Sequence, residues 1–227
     1  MVPKKIPPTF KKDHFERLSW DQSTLICGVD EVGRGCLAGP VVVAAAILPP
    51  YTSYRLLKDS KIMTIEERER AFNWIQRKCI YSWVTIHHRI VDRYNIYYTT
   101  LIAMKRAVMQ LSAYVKQMPK IVLVDAMPLS LNNTALKETQ IIYFPKGEHK
   151  SRSIAAASII AKIKRDALMR KMSILFPHFG FAQHKGYSTT QHKKAIHVYG
   201  KLVIHRKQFI KKIVVADHEY SAQSRLC

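Results

Sequence analysis

Four consecutive apolar residues, Ile121-Val122-Leu123-Val124, run without a polar break into Asp125. A strand with no polar alternation is buried on both faces, which is the situation in a parallel sheet covered by helices. That one segment directs the chain toward an α/β architecture. Leu25 to Val29 is a second short apolar run with strand character, and it stops at Asp30-Glu31. In α/β sheets, ligands bind beyond the carboxyl ends of the strands. Two strands are therefore expected to bring Asp30, Glu31 and Asp125 to one edge of a sheet.

The remaining pattern fills in the layers. Residues 24–30 and 40–48 read as strands joined by a glycine loop, with Gly39-Pro40 opening the second. Cys79 to His87 and Gln140 to Phe144 complete a mixed sheet of five strands. Helices are predicted over Glu66–Gln76, Tyr94–Lys116 and Ser151–Met172, with shorter ones at 189–200 and 206–213. The expected organisation is a basic tail or short lead-in over 1–20, a catalytic domain over 21–176, a small helical substrate-binding part over 177–215, and a tail over 216–227. Met1 to Lys12 lacks the apolar stretch and cleavage site of a secretory signal and reads as a frayed basic tail. The longest apolar run, Pro40 to Leu48, has the length of a strand and falls well short of a membrane span. Four scattered cysteines, Cys27, Cys36, Cys79 and Cys227, form no C-x-x-C pair, which fits a reducing cytoplasm and neither a zinc site nor a disulfide framework. A monomeric cytoplasmic protein is expected.

The charge constrains function. Thirty-seven Lys and Arg stand against 16 Asp and Glu, a formal net charge of +21 in 227 residues. Such a chain suits a polyanionic partner. It also makes its acids conspicuous. From Arg93 to Lys137 the one acid is Asp125, and from His149 to Ala216 the one acid is Asp166. Asp30 and Glu31 stand alone between Asp21 and Asp59. Glu66, Glu67 and Glu69, set among arginines, read as a solvated helix face. Asp166 shares a helix face with Ala155, Ile159, Lys162 and Ile163. It is either an inward ligand or a surface acid paired with Lys162 or Arg170.

Acids gathered in so basic a chain repel one another unless cations are present. Two divalent metals about 4 Å apart supply that compensation and suit phosphodiester hydrolysis. Oxygen-only ligands point to Mg²⁺ or Mn²⁺ rather than zinc. Next to the first pair of acids, Gly33-Arg34-Gly35 forms a loop whose backbone can approach a ligand closely. Gly33 to Ala38 also fits G-x-G-x-x-A, but a proline and a valine-rich strand follow where a dinucleotide fold needs a helix. Lys150, Arg152, Lys162, Lys164 and Arg165 either track a phosphate backbone or form a solvated face. A nuclease acting on DNA alone, and a non-catalytic basic nucleic-acid-binding protein, are the competing classes. The second has no use for the isolated acids.

The run from Gly28 to Gly35, continuing through Leu37-Ala38-Gly39-Pro40-Val41-Val42, resembles the signature of ribonuclease HII. Further blocks agree in order: Asp59-Ser60-Lys61; Asn95-Ile96 with Ala103-Met104 and Ala107-Val108; Val124-Asp125; Lys146-Gly147, Ser153 to Lys162 and Arg165-Asp166; His184-Lys185-Gly186-Tyr187 with His192; and His205-Arg206. The resemblance spans roughly residues 24–210. The Gly-Arg-Gly loop, with no long extension ahead of it, favours this type over ribonuclease HIII. The resemblance implies a ribonuclease H-like fold. It implies endonucleolytic cleavage of RNA in RNA–DNA hybrids and incision 5′ to a single ribonucleotide in a DNA duplex, leaving 5′-phosphate and 3′-hydroxyl ends. By the same carry-over Asp30, Glu31, Asp125 and Asp166 are the catalytic, metal-binding carboxylates. Gly33, Arg34 and Gly35 are similar to the loop that reads the ribose 2′-hydroxyl, and Tyr187 matches the tyrosine packed on the neighbouring deoxyribose. Ala126, Ile62, Glu148, Ser188 and Gln208 depart from the family pattern. None of the five is expected to touch a metal ligand, and Ser188 is the departure expected to matter.

Overall fold

The computed structural model describes residues 2–7, 9–211 and 213. Its strands are β1 (Lys4–Lys5), β2 (Ile26–Val32), β3 (Val41–Ile47), β4 (Ile80–Ile86), β5 (Ile121–Asp125) and β6 (Gln140–Phe144). Its helices are α1 (His14–Asp21), α2 (Ile65–Lys78), α3 (His88–Tyr94), α4 (Ile96–Ser112), α5 (Gly147–Lys150), α6 (Arg152–Leu175), α7 (Phe181–His184) and α8 (Thr190–Tyr199). The chain divides into two compact units. Among the described residues, the first holds those up to 32, 42–85 and 100–164; the second holds 33–41, 86–99 and those from 165 onward.

The first unit is built on one mixed sheet in the order β1-β6-β5-β2-β3-β4. β2 runs parallel to β5, with Val29 opposite Val124, and antiparallel to β3, with Asp30 opposite Ala44. Val122 to Val124 and the whole of β3 are buried, as the unbroken apolar runs require. β4 lies at the sheet edge, with Ser82 and Ile86 buried and its other residues partly or fully accessible. α6 crosses β2 so closely that a Cβ on Gly28 would overlap the main chain of Ser153 and Ile154. Residues 153–161, mostly alanine, serine and isoleucine, are buried without interruption. The small residues are what allow that approach.

The expected five strands are present, with a sixth added. The lead-in is not a frayed tail. Lys4 and Lys5 pair parallel to Ile142 and Tyr143 as β1. Phe10 and Phe15 pack on Phe144 with ring centroids 4.9 and 6.4 Å apart. Buried Asp13 and Glu16 cap the start of α6. The Asp13 carboxylate accepts from Arg152 N at 2.9 Å, and Glu16 accepts from Ser153 N at 3.2 Å and from the Ser151 hydroxyl. The tail expected over 216–227 lies outside the described residues.

α2 begins at a reciprocal capping box between Thr64 and Glu67, so one of the acids assigned to a solvated face also starts the helix. The single helix expected over 94–116 is two. Asn95 adopts φ 62°, and its side-chain oxygen accepts from Tyr97 N and Tyr98 N at 2.9 and 3.2 Å, ending α3 and opening α4. Positive φ with extended ψ (169°) is uncommon for a residue with a side chain, and a period-based reading passes over it.

The second unit packs around Leu37, Ala38, Met169, Phe179, Phe181 and Ile196. It contains α3, α7, α8, a 3₁₀ turn at Pro177–Phe179 and helical residues 207–211. Ala38 bridges to His205. Among the described residues no helix is long and apolar enough to cross a membrane, and Cys27, Cys36 and Cys79 are free thiols.

Candidate active site

In the first unit the sheet delivers Asp30 from β2 and Asp125 from the end of β5. The third member of their group comes from α5, immediately after β6: one carboxylate oxygen each of Asp30, Asp125 and Glu148 lies within 4.8 Å of the others. Asp30 is 3% exposed and Glu148 4%. Gly147 N donates to Asp125 Oδ1 at 2.8 Å, and Glu31 N donates to Asp30 Oδ1 at 2.7 Å. A side chain at 147 would crowd Asp125 Oδ1 and Ile154, so glycine lets α5 start against the β5 carboxylate.

Burial, reinforced by the charges of Glu31, Asp125 and Glu148, pushes the Asp30 carboxyl well above the usual carboxylate range. A hydrogen bond from Ser158 opposes the shift, and Ser158 is itself held by Ser60 at 2.9 Å. Burial also raises Glu148, against the pull of Lys61. The Lys61 ammonium sits 2.7 Å from Glu148 Oε1. For Lys61 burial is outweighed by Glu148, Asp30 and Asp59 together, so its affinity for the proton rises. Carboxylates that resist ionising side by side are the electrostatic mark of a cation site. Their donor set is all oxygen, which fits Mg²⁺ or Mn²⁺. Asp59, Glu148 and His149 form a second cluster. There His149 Nε2 lies 3.5 Å from Asp59, and the Lys61 ammonium engages Glu148.

The sequence-predicted residues separate accordingly. Asp30 and Asp125 come together. Glu31 follows Asp30 on the strand and adds its charge to Asp30, but belongs to neither three-residue group. Asp166 lies on α6 in the second unit, 5% exposed, so it is no solvated helix-face acid; it too is in neither group. Glu148 was expected to stand clear of the ligands, and that expectation fails. Its signal was present as Lys146-Gly147-Glu148, where a Glu in place of Asp keeps the carboxylate. The basic cluster is largely engaged within the protein. Lys150 donates to Phe10 O, Arg152 pairs with Asp13, Lys164 lies 3.9 Å from the Trp83 ring centroid, and Arg165 is fully buried.

Gly33, Arg34, Gly35 and Tyr187 all belong to the second unit. Gly33 takes φ +97°, and a Cβ there would overlap Arg165 Nε. Tyr187 is 39% exposed, and the Arg165 guanidinium carbon lies 5.7 Å from its ring centroid. Its main-chain N–H donates to His184 O and its carbonyl accepts from Thr189 N, both at 2.9 Å. The carbonyl also meets His192 Nδ1 at 2.9 Å, and His192 Nε2 meets His205 Nε2 at 3.1 Å. These bonds fix the Tyr187 backbone beside Ser188. Burial pushes His192 and His205 down to about 4, so both are neutral at pH 7.

Comparison with known proteins places this geometry. The family model described as Ribonuclease HII matches residues 27–212. Ribonuclease HII of Levilactobacillus brevis is 41% identical over 206 residues, covering 89% of this chain and 76% of that protein. The solved ribonuclease H2 from Pyrococcus horikoshii OT3 superimposes with TM-score 0.68 at 25% identity, covering 86% of this chain and 99% of that one. Bst-RNase HIII in complex with Mn²⁺ superimposes with TM-score 0.69 at 21% identity, covering 88% and 73%, a likeness of fold. With its ribonuclease H-like sheet and clustered carboxylates, the chain belongs to the ribonuclease HII family of metal-dependent ribonuclease H hydrolases.

Proposed function

We propose that the protein hydrolyses the RNA strand of RNA–DNA hybrids and also incises duplex DNA 5′ to a single embedded ribonucleotide, leaving 5′-phosphate and 3′-hydroxyl ends. The observation that carries this reading is the carboxylate group of buried Asp30 and Glu148 with half-buried Asp125, their oxygens within 4.8 Å, in a chain of net charge +21. Asp30, Glu31 and Asp125 are the metal carboxylates in this reading, with Glu148 joining them and Asp166 carried over from the family pattern. When bound, divalent ions, Mn²⁺ or Mg²⁺ and two per site, lower the pKa of an attacking water and offset charge on the leaving oxygen. The Mn²⁺ in the Bst-RNase HIII structure supports that choice of ion.

The protein's own groups supply the rest. Ser158 and the Glu31 N–H hold the Asp30 carboxylate in one orientation. Gly147 N does the same for Asp125, and Lys61 for Glu148. Gly33, Arg34 and Gly35 read the ribose 2′-hydroxyl, the group that separates RNA from DNA. Tyr187, its ring backed by Arg165, packs on the adjacent deoxyribose. Two DNA duplexes of one sequence, one carrying a single ribonucleotide, test the reading with either metal. Cleavage confined to the ribonucleotide duplex, 5′ to the ribose, is the expected result. Equal cleavage of both sinks it in favour of a nuclease acting on DNA alone.

A further inference from the structure

Arg165 and Arg206 are each 0% exposed, the two largest fully buried side chains among the described residues. A guanidinium taken from water is costly unless its donors are satisfied. Here main-chain carbonyls satisfy them. Arg165 donates from Nε to Pro40 O at 3.0 Å, from Nη2 to Ala38 O at 3.2 Å and from Nη1 to Lys185 O at 2.8 Å. Arg206 donates from Nε and Nη2 to Gly39 O at 3.1 and 3.0 Å, and from Nη1 to Arg34 O at 2.8 Å. Its backbone N–H adds a bond to Leu37 O at 2.8 Å. Five carbonyls of the segment from Arg34 to Pro40 are thus drawn onto two arginines.

This arrangement decides where the loop's donors face. The peptide bonds are trans, so a carbonyl turned inward sends the following N–H outward. Arg34 O is held by Arg206, which turns Gly35 N–H away from the guanidinium. Gly35 is exposed, and no atom lies within 4 Å of the place its Cβ would occupy. The later N–H groups are engaged inside the unit: Leu37 and Ala38 donate to Gly186 O, and Gly39 donates to Ile204 O. Gly33 and Gly39, at φ +97° and +83°, leave the room that Arg165 and Met169 fill. Burial pushes the Arg206 guanidinium down to about 10, so it is still charged at neutral pH.

We propose that Arg206, seconded by Arg165, is a positioning residue for ribose recognition, holding the carbonyls of Arg34 and of Leu37 to Pro40 inward so that the Gly33–Gly35 loop presents the Gly35 N–H to the 2′-hydroxyl. The proposal rests on the reading that this loop senses the ribose. A lysine keeps the charge but is a point donor. It cannot span Arg34 O and Gly39 O as the planar fork does.

The test uses the full chain with Mg²⁺. For Arg206→Lys, three quantities are measured: kcat/KM on the single-ribonucleotide duplex, Kd for the same duplex made wholly of DNA, and the thermal midpoint. Expected is a loss of about 10- to 100-fold in kcat/KM. The all-DNA Kd, borne by phosphate contacts, stays within about twofold. Unchanged kcat/KM overturns the proposal, as does an equal loss of cleavage and all-DNA binding. If Arg206→Lys does not fold, Arg165→Lys is judged on the same quantities; if neither folds, the pair serves the fold alone and the proposal is overturned. Failure of the parent reading looks different, because the unsubstituted protein would then cut both duplexes alike.

Discussion

Replacing Glu148 with Gln keeps the shape of the side chain and removes one negative charge from the carboxylate group. Its ligand oxygen lies within 4.8 Å of those of Asp30 and Asp125. At that separation and an effective dielectric near 20, two unit charges interact by roughly 3.5 kcal/mol. That is the mutual repulsion the substitution relieves; a divalent ion held among the oxygens lies nearer to Glu148 and carries twice the charge, so the attraction it loses is larger. Part of it is already offset in the native protein by Lys61, 2.7 Å from Glu148. The ammonium repels a cation before and after the substitution, so the change is the carboxylate's attraction less the repulsion it exerted on its neighbours; a net loss of about 2–3 kcal/mol is roughly 30- to 150-fold in metal affinity at 1.36 kcal/mol per tenfold. The assay is the initial rate of hybrid cleavage against Mn²⁺ concentration. Glu148→Gln is expected to move half-saturation up by that factor, with much of the maximal rate regained at high Mn²⁺. Adding Lys61→Met should restore part of the affinity. A half-saturation within about twofold of the unsubstituted protein refutes the reasoning. If Asp166→Asn shifts it and Glu148→Gln does not, the fourth carboxylate is Asp166, as the family pattern alone suggested.

Two further outcomes follow from the framework around the site. His192 and His205, held at about 4 by burial, take up protons more readily when unfolded, at the ordinary value of about 6.5. Their contribution to stability is therefore complete above pH 6.5 and is lost as pH falls toward 4. By pH 5 each removes at most about 2 kcal/mol, which a urea titration at pH 7 and pH 5 would read; equal stability at both pH values contradicts the buried neutral pair. Glu16→Ala leaves the start of α6 without its carboxylate cap and should cost about 1–3 kcal/mol in the same titration. A change under about 0.5 kcal/mol would mean that the segment before β2 is not docked there.

The parts of the fold legible in the sequence are those governed by short-range pattern. Ile121 to Asp125 and Gln140 to Phe144 are strands over the residues read, because unbroken apolar runs leave no other way to bury both faces. Ala155 to Ala157 permit a close helix–sheet contact, and Gly28 is where it occurs. The parts that escaped depend on distant partners. Lys4, Lys5, Asp13 and Glu16 look like a charged lead-in, and only β6 and the start of α6 give them a function. Asn95 breaks a helix through its own backbone geometry and side-chain cap, which hydrophobic periodicity does not register. In the site, Asp30 and Asp125 were legible because they end apolar strands and stand alone in a basic chain. Glu148 was passed over although Lys146-Gly147-Glu148 keeps a carboxylate, because no strand leads directly into it and the turn after β6 is what brings it to Asp30 and Asp125. Arg165 and Arg206 read as two more cations in a chain of 37. Their burial under the glycine loop cannot be inferred from charge.

In the proposed mechanism the Asp30 group holds the catalytic cations, while the basic surface holds the nucleic acid. Asp30→Asn separates the two most directly, in one preparation assayed for hybrid binding by fluorescence anisotropy and for cleavage with Mg²⁺ and Mn²⁺. Cleavage is predicted to vanish with both metals while the hybrid Kd stays within a few-fold of the unsubstituted protein. Retained cleavage with either metal would contradict the assignment.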